Sequence, residues 1–535
     1  MKNLLLMVAL SVLPVATVKA ADSADYRVIP LPKQIVEVKG QPFQLDENVS
    51  IVYPKDNNDM ARNAQFLADY VKQQTSLSLA LTTGKAKKSI VLAIDTKQKN
   101  DEGYKIQVTE KRVTVSGRTP RGVFYGIQTL RKSLAGCAAP VLLPAATITD
   151  EPRFAYRGMH LDVARHFFPV EFVKRYIDMM ALHNMNTFHW HLTEDQGWRL
   201  EIKKYPRLTS VGSIRKQTVV GRNSGIYDGT PYGGSFTQEE AREVVQYAAD
   251  RYVTVIPEID MPGHMLGALT AYPELGCTGG PYEVEGRWGV FPDILCAGKE
   301  TTFDFLRNVL DEVMAIFPSQ FIHIGGDEAP RTRWKACPDC QKRIREQGIV
   351  GDDEHSAEAK LQSYFAERVE KYLNDHGRRI IGWDELLEGQ VRESATIMSW
   401  RGKKGGQKAA ELGHDVIMSP NDYCYFDYYQ TDKHWNEPLL IGGNVPLEKV
   451  YSLDPTEGIS PENQHHILGA QANIWTEYIG CTQLVEYQAM PRAAALAEVQ
   501  WVETPKKDFN QFKEQRLPRL LKLYDLQGYT YFKGR

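Results

Sequence analysis

The sequence predicts a (β/α)8 barrel preceded by a small α+β domain, and three observations lead there. From residue 156 onward, short apolar runs rich in β-branched residues alternate with amphipathic helical segments. Eight such runs predict strands over residues 158–163, 186–192, 253–259, 321–325, 379–383, 396–400, 415–418 and 467–474. Polar and aromatic residues collect where each run stops, which is the catalytic face of such a barrel.

Length and charge bound the rest. At 535 residues the chain is too long for one ordinary core. Charged residues are 24% and the net charge is −3, a balance that points to neither nucleic acid nor an anionic membrane surface. Residues 1–20 read as a secretory signal peptide: Lys2, an apolar run over residues 4–18, and small residues at Val18 and Ala20, with cleavage after Ala20. The run is too short to favour a membrane span and holds no cysteine for a lipid anchor. The expected location is periplasmic or extracellular, and no later stretch reads as transmembrane.

Seven cysteines in an exported chain permit disulfides. Cys277 and Cys296 flank a Gly-rich loop and are expected to be bridged. Cys337-Pro-Asp-Cys340 would suit zinc only with a second ligand pair, and none stands nearby at the usual spacing. A local disulfide or two free thiols is the expectation there, with no metal and no cofactor.

Residues 21–150 form the first unit. Residues 89–94 read as a strand, and residues 103–108 and 112–116 alternate as a hairpin. Residues 121–134 read as a helix with Val123, Ile127, Leu130 and Leu134 on one face. Asp150-Glu-Pro-Arg is a polar boundary. The barrel then occupies residues 151–505, with helices over residues 170–182, 238–250, 303–317, 357–374, 407–412 and 483–498. Residues 209–235, rich in Gly, Ser and Arg without periodicity, read as a long loop on the active-site face. Residues 506–535 form a helical tail.

The stretch that carries chemistry is residues 321–330, Phe-Ile-His-Ile-Gly-Gly-Asp-Glu-Ala-Pro. A buried strand ends, two glycines let the backbone turn, and two adjacent carboxylates, Asp327 and Glu328, can then face one place. The other strand ends supply Asp162, Arg165 and His166; Glu194 and Asp195; Glu258, Asp260 and His264; Trp383, Asp384 and Glu385; Trp400 and Arg401; Tyr425 and Asp427; Trp475 and Glu477. Any one could cap a strand, but eight in succession are hard to explain as solvation. No phosphate-binding glycine loop and no Gly-x-Ser-x-Gly elbow is present. His189 and His191 read as buried structural histidines rather than metal ligands. Carboxylates among Trp residues suit glycoside hydrolysis.

Several of these motifs together resemble glycoside hydrolase family 20, the β-N-acetylhexosaminidases. They are Leu161-Asp-Val-Ala-Arg-His, Asp195-Gln-Gly-Trp, Pro257-Glu-Ile-Asp-Met-Pro-Gly-His, His323-Ile-Gly-Gly-Asp-Glu, Gly382-Trp-Asp-Glu and Ala472-Asn-Ile-Trp-Thr-Glu, in the family's order over residues 25–505. The resemblance implies an exo-acting, retaining enzyme whose nucleophile is the substrate's own 2-acetamido oxygen, acting on N-acetylhexosamine glycans. It implies Glu328 as general acid and base, and Asp327 as the group that orients and stabilises the acetamido group. Tyr425 would donate to the acetamido oxygen. Trp383, Trp400 and Trp475 would box the sugar, and Arg165, Asp427 and Glu477 would hold its hydroxyls. Asp195 and His264 would form a polar chain behind Glu328. Glu194-Asp195 stands where many members carry Asp-Asp, so the role passes to Asp195 and Glu194 is left without one.

Overall fold

The computed structural model describes residues 21–389 and 391–534. The expected signal peptide, residues 1–20, lies outside the described residues. No helix among the described residues is long and apolar enough to cross a membrane.

The first unit is a seven-stranded sheet with two helices packed against it and against each other. The predicted hairpin is there as Tyr104–Thr109 against Arg112–Gly117, beside the strand Ser89–Ile94. The predicted helix spans Pro120–Ser133. A helix that the sequence reading does not place, Asn58–Thr75, packs beside it. Its ends follow from local chemistry: the Asn57 side chain accepts the Met60 N–H at 3.0 Å, and Ser76 closes it in the left-handed region at φ 64°. A small sheet of Asp22–Ser23, Val141–Leu143 and Phe43–Leu45 completes the unit.

Eight parallel strands then close into a barrel. They are β1 (Tyr156–Asp162), β2 (Thr187–His191), β3 (Thr254–Glu258), β4 (Phe321–His323), β5 (Arg379–Trp383), β6 (Thr396–Ser399), β7 (Val416–Met418) and β8 (Ile467–Ala472). Each lies within two residues of its predicted bounds, because the apolar, β-branched runs of strands buried on both faces are a local property of the chain. The predicted helix over residues 483–498 is two helices, Thr482–Ala489 and Arg492–Trp501, separated at Pro491, whose missing N–H cannot continue the ladder. The loop over residues 209–235 contains a short two-stranded ribbon, Ile214–Arg215 with Tyr232–Gly233. The helix Gln238–Ala249 opens with a reciprocal cap: Glu240 N–H to Thr237 Oγ1 at 3.1 Å, Thr237 N–H to Glu240 at 2.8 Å, worth about 1 kcal/mol.

The barrel interior is divided. Strands β1 to β4 point His160, His189, Glu258 and His323 inward, all with no more than trace exposure. Strands β5 to β7 supply Ile381, Trp383, Met398 and Ile417, packed as one apolar cluster with Tyr425 and Trp475. The two halves set up a polar wall and an apolar wall under one opening.

Two buried ion pairs are among the links that hold the domains together. Arg157 at the start of β1 donates to Glu102 of the first unit through both terminal nitrogens, at 2.9 and 3.0 Å. Arg516 in the tail forks onto Glu498 at 2.6 and 2.9 Å and reaches the Val28 carbonyl at 3.1 Å. Such a pair contributes little net stability when intact but costs about 3–5 kcal/mol when one partner is removed.

Candidate active site

The turn after β4 determines where both carboxylates point. Gly325 and Gly326 adopt φ 67° and 97°, and Glu328 itself sits at φ 45°. A Cβ on Gly325 would fall 1.8 Å from Asp260 Oδ1, so only glycine fits. Gly326 N–H donates to that same Asp260 oxygen at 3.2 Å, pinning the turn to the end of β3. A positive φ at Glu328, and another at His264 (φ 52°), stores strain where the chemistry is expected.

Behind Glu328 runs a polar chain. His264 Nε2 is 3.7 Å from Glu328 Oε2 and 3.8 Å from Asp327 Oδ2. His264 Nδ1 is 3.1 Å from both Asp195 Oδ2 and Glu194 Oε2. Asp195 is anchored by the Leu266 N–H at 3.0 Å. Burial opposes a charge on His264, but the Glu194 and Asp195 carboxylates outweigh it and hold the imidazole protonated. His264 in turn keeps the half-exposed Glu328 below the usual carboxylate range. Burial pushes Asp327 up, to about 6.

Above the turn Trp383, Trp400 and Trp475 gather in one cluster with Tyr425. The rings of Trp383 and Trp475 lie 5.8 Å apart, Tyr425 stacks on Trp400 at 6.0 Å, and Tyr425 reaches Trp475 at 6.4 Å. Trp400 Nε1 donates to Glu385 at 3.0 Å. Arg165 lies over the Trp475 ring at 5.0 Å, and its guanidinium is committed to Glu194 at 2.6 Å, with Asp162 at 3.4 Å. Asp427, 3% exposed, has no donor on either carboxylate oxygen, and Asp327 Oδ1 is also a buried acceptor without a partner. Burial, and then the Glu477 charge, push Asp427 well above its ordinary value. Buried acceptors without donors are expensive in a folded protein.

Residues 154–504 match the family described as "Glycosyl hydrolase family 20, catalytic domain", and residues 25–151 match "Glycosyl hydrolase family 20, domain 2". The chain belongs to glycosyl hydrolase family 20. A beta-hexosaminidase of Porphyromonas gingivalis is 45% identical over 516 residues, covering 94% of this chain and 64% of its own, so the chain spans just under two thirds of that relative. The GH20 beta-N-acetylhexosaminidase of Streptomyces coelicolor A3(2) superposes with a TM-score of 0.82 at 32% identity, over 95% of this chain and 97% of the other. A variant beta-hexosaminidase of Streptomyces plicatus, solved with its product GlcNAc, superposes at 0.81 and 32% identity over 95% and 96%.

In this family 20 chain the structure brings together Asp327, Glu328, His264, Asp195 and Arg165, with Tyr425, Trp383, Trp400 and Trp475 as the wall. It also gives a place to residues that the sequence names at strand ends without a role. Glu194, without a role in the sequence, is a hub: its carboxylate takes Arg165 at 2.6 Å, His264 at 3.1 Å, His191 at 3.3 Å and the Asp195 N–H at 2.9 Å. Glu385 is held up, to about 8, by burial and then by the Asp327 charge. Glu258 sits at the centre of the inward histidines: it accepts from Trp383 Nε1 at 3.1 Å and from His191 Nδ1, with His189 Nε2 at 2.8 Å and His323 Nδ1 at 3.0 Å beside its carboxylate. Burial raises Glu258, but the three imidazoles override it and keep it ionised, while His191 between Glu258 and Glu194 is held protonated. The visible signal was charged residues at or just past the ends of otherwise apolar parallel strands.

Two other features stand away from the pocket. A cavity of about 580 Å³ opens at the opposite mouth of the barrel, lined by Tyr156, Thr187, Thr254, Phe321 and Arg379. It lies at the N-terminal ends of the strands, where barrels hold stability rather than catalysis. The expected Cys277–Cys296 disulfide is not formed; all seven cysteines are unbridged. Instead Cys277, Cys296, Cys337 and Cys340 converge on one point, all four sulfurs lying within 4.8 Å of one another.

Proposed function

We propose that the chain is an exo-acting β-N-acetylhexosaminidase that removes single terminal, non-reducing N-acetyl-β-D-hexosamine residues from glycans or chito-oligosaccharides. The observation that carries this reading is the set of donor-less buried acceptors at the mouth of the Trp-walled barrel, Asp327 Oδ1 and both Asp427 oxygens. A 2-acetamido sugar supplies what they lack: an amide N–H for Asp327 and ring hydroxyls for Asp427 and Glu477. The apolar wall of Trp383, Trp400 and Trp475 suits the acetamido methyl and the sugar face. The names of the Porphyromonas and Streptomyces relatives, and the GlcNAc in the Streptomyces plicatus structure, support the same substrate class.

The reaction follows from these positions. Glu328 protonates the glycosidic oxygen as the bond to C1 breaks. The acetamido oxygen closes on C1 from the other face, with Tyr425 near that oxygen, and the positive charge spreads onto the nitrogen. Asp327 takes the N–H and stabilises that charge, a contribution of several kcal/mol in a site shielded from water. Glu328, now a carboxylate, removes a proton from water as it opens the ring, and the sugar leaves with its configuration retained. Lys2, the apolar run after it and the small residues at Val18 and Ala20 support export and cleavage after Ala20.

Purified protein should hydrolyse a chromogenic N-acetyl-β-glucosaminide and leave the matching β-glucoside untouched. A thiazoline mimic of the cyclised intermediate should inhibit it tightly. Hydrolysis of the plain glucoside, or a covalent glycosyl ester on any carboxylate of the chain, would restore an enzyme-borne nucleophile and overturn this reading. No hydrolysis of either would leave a glycan-binding relative.

A further inference from the structure

We propose that Cys277, Cys296, Cys337 and Cys340 form a tetrahedral thiolate site for one structural Zn²⁺. This reverses the expectation of a chain without a metal. The second ligand pair that the spacing around Cys337-Pro-Asp-Cys340 lacked is supplied by a different loop, the one that leaves β3 and returns through Cys296.

The geometry fits a mononuclear metal and not a pair of covalent bridges. The sulfur separations are 3.8 Å for Cys277–Cys340, 3.7 Å for Cys296–Cys337 and 3.5 Å for Cys296–Cys340. Four sulfurs about 2.3 Å from a central zinc stand about 3.8 Å apart along the edges of the tetrahedron. Disulfides bring sulfurs to about 2.05 Å and join them two by two. Here Cys296 lies within 0.2 Å of the same distance from Cys340 (3.5 Å) and Cys337 (3.7 Å), so no pairing is singled out. Zinc replaces the thiol protons and needs no oxidant. Two disulfides would require the removal of four electrons.

The surroundings are built for the site. Cys296, Cys337 and Cys340 are buried and Cys277 is half-buried, so four protein ligands close the coordination and leave no open position for catalysis. Cys337 caps the helix Pro338–Glu346 and Cys340 lies in its first turn, where the helix dipole favours thiolate. The two loops press together at Gly298, where a Cβ would stand 2.2 Å from the Asp339 carbonyl carbon.

The site ties together the two segments that carry the acid and its partner. Leu295, beside Cys296, donates its N–H to the Pro262 carbonyl at 3.0 Å, two residues before His264. Its own carbonyl accepts Trp334 Nε1 at 2.9 Å, on the short helix that leads from Glu328 to Cys337. The metal therefore fixes the spacing of the β3 and β4 loops from behind, without touching substrate.

The test is metal analysis of the full chain, expressed with its own N-terminus and purified without chelator or reductant. The expected result is one zinc per chain. Titration with a mercurial should release that zinc in step with four thiols, and the Tm should fall. Refolding with Co²⁺ should give the intense visible bands of tetrahedral thiolate coordination. Cys340→Ser and Gly298→Ala should lose the metal, while Cys137→Ser, at a cysteine outside the cluster, should keep it. The wild-type measurements stand even if those variants fold poorly. Zinc absent with four thiols missing from the denatured count would mean two disulfides. Zinc absent with all thiols present would mean an unliganded cluster, and iron in place of zinc would mean a different centre. Any of these overturns the proposal.

Discussion

His264 Nε2 stands 3.7 Å from Glu328 Oε2, and both residues hold the left-handed backbone conformation. At that separation the contact is a pairing of charges rather than a closed hydrogen bond. It still sets the order of protonation in the free enzyme. Glu328, the acid, is held low by His264, while burial lifts Asp327 to about 6. The two carboxylates must share one proton for the reaction, and they titrate as a pair.

The first prediction is the pH dependence of kcat/KM. Above about 6 the pair loses its last proton, and activity falls as pH rises. Below the depressed value of Glu328 the pair gains a second proton, and activity falls again. The profile should be a bell with a mildly acidic optimum. Asp327→Asn should remove the limb near 6. A profile flat from pH 5 to 8 would contradict this ordering.

The two carboxylates should also fail differently. Glu328→Gln should hurt substrates with poor leaving groups most and activated phenyl glycosides least, because the latter need little protonation. Asp327→Asn should slow every substrate by a similar factor, on the order of 10²–10³, as for loss of one preorganised electrostatic partner. A leaving-group series on both variants measures the slopes. Equal slopes would show that the roles are not separated.

Glu194→Ala should cost about 3–5 kcal/mol of stability, since it leaves Arg165 buried beside a lost partner and removes one of the two carboxylates that charge His264. With His264 less charged, Glu328 rises towards its ordinary value, so the acid limb of kcat/KM should move up in pH. Denaturant melts and pH profiles on one protein preparation read both effects. An unshifted limb would place Glu194 outside the acid's electrostatics.

Gly325→Ala should fail for a backbone reason. The new Cβ meets Asp260 Oδ1 at 1.8 Å, and φ 67° disfavours any side chain, so the turn carrying Asp327 must move. Activity should fall by more than about 100-fold, since a 1 Å misplacement of catalytic groups suffices for that. Near-normal kcat would show that the turn tolerates the shift.

Breaking the Arg157–Glu102 link by Glu102→Ala should cost about 3–5 kcal/mol and leave kcat unchanged, because the pair lies at the start of β1, away from the catalytic face. Thermal melts alongside steady-state kinetics would show it. A fall in kcat at unchanged Tm would reverse the assignment.

The sequence by itself determined the barrel and the chemistry of its mouth. Strand and helix periods are local, so eight runs could be placed to within two residues, and Gly325, Gly326, Asp327 and Glu328 are contiguous. Where chain neighbours carry the signal, no folding is needed to read it. The rest was decided by meetings between distant segments. Glu194 becomes a hub only because β1, β2 and the loop after β3 bring Arg165, His191 and His264 to it. Glu258 gathers three imidazoles through the register that sets Asp162, His191, Glu258 and His323 side by side across four strands. Cys277 meets Cys340 across 63 residues, a distance at which spacing carries no information about coordination. Residues that far apart are related only by how the chain packs, and packing is settled by burial summed over the whole domain rather than by any stretch of it.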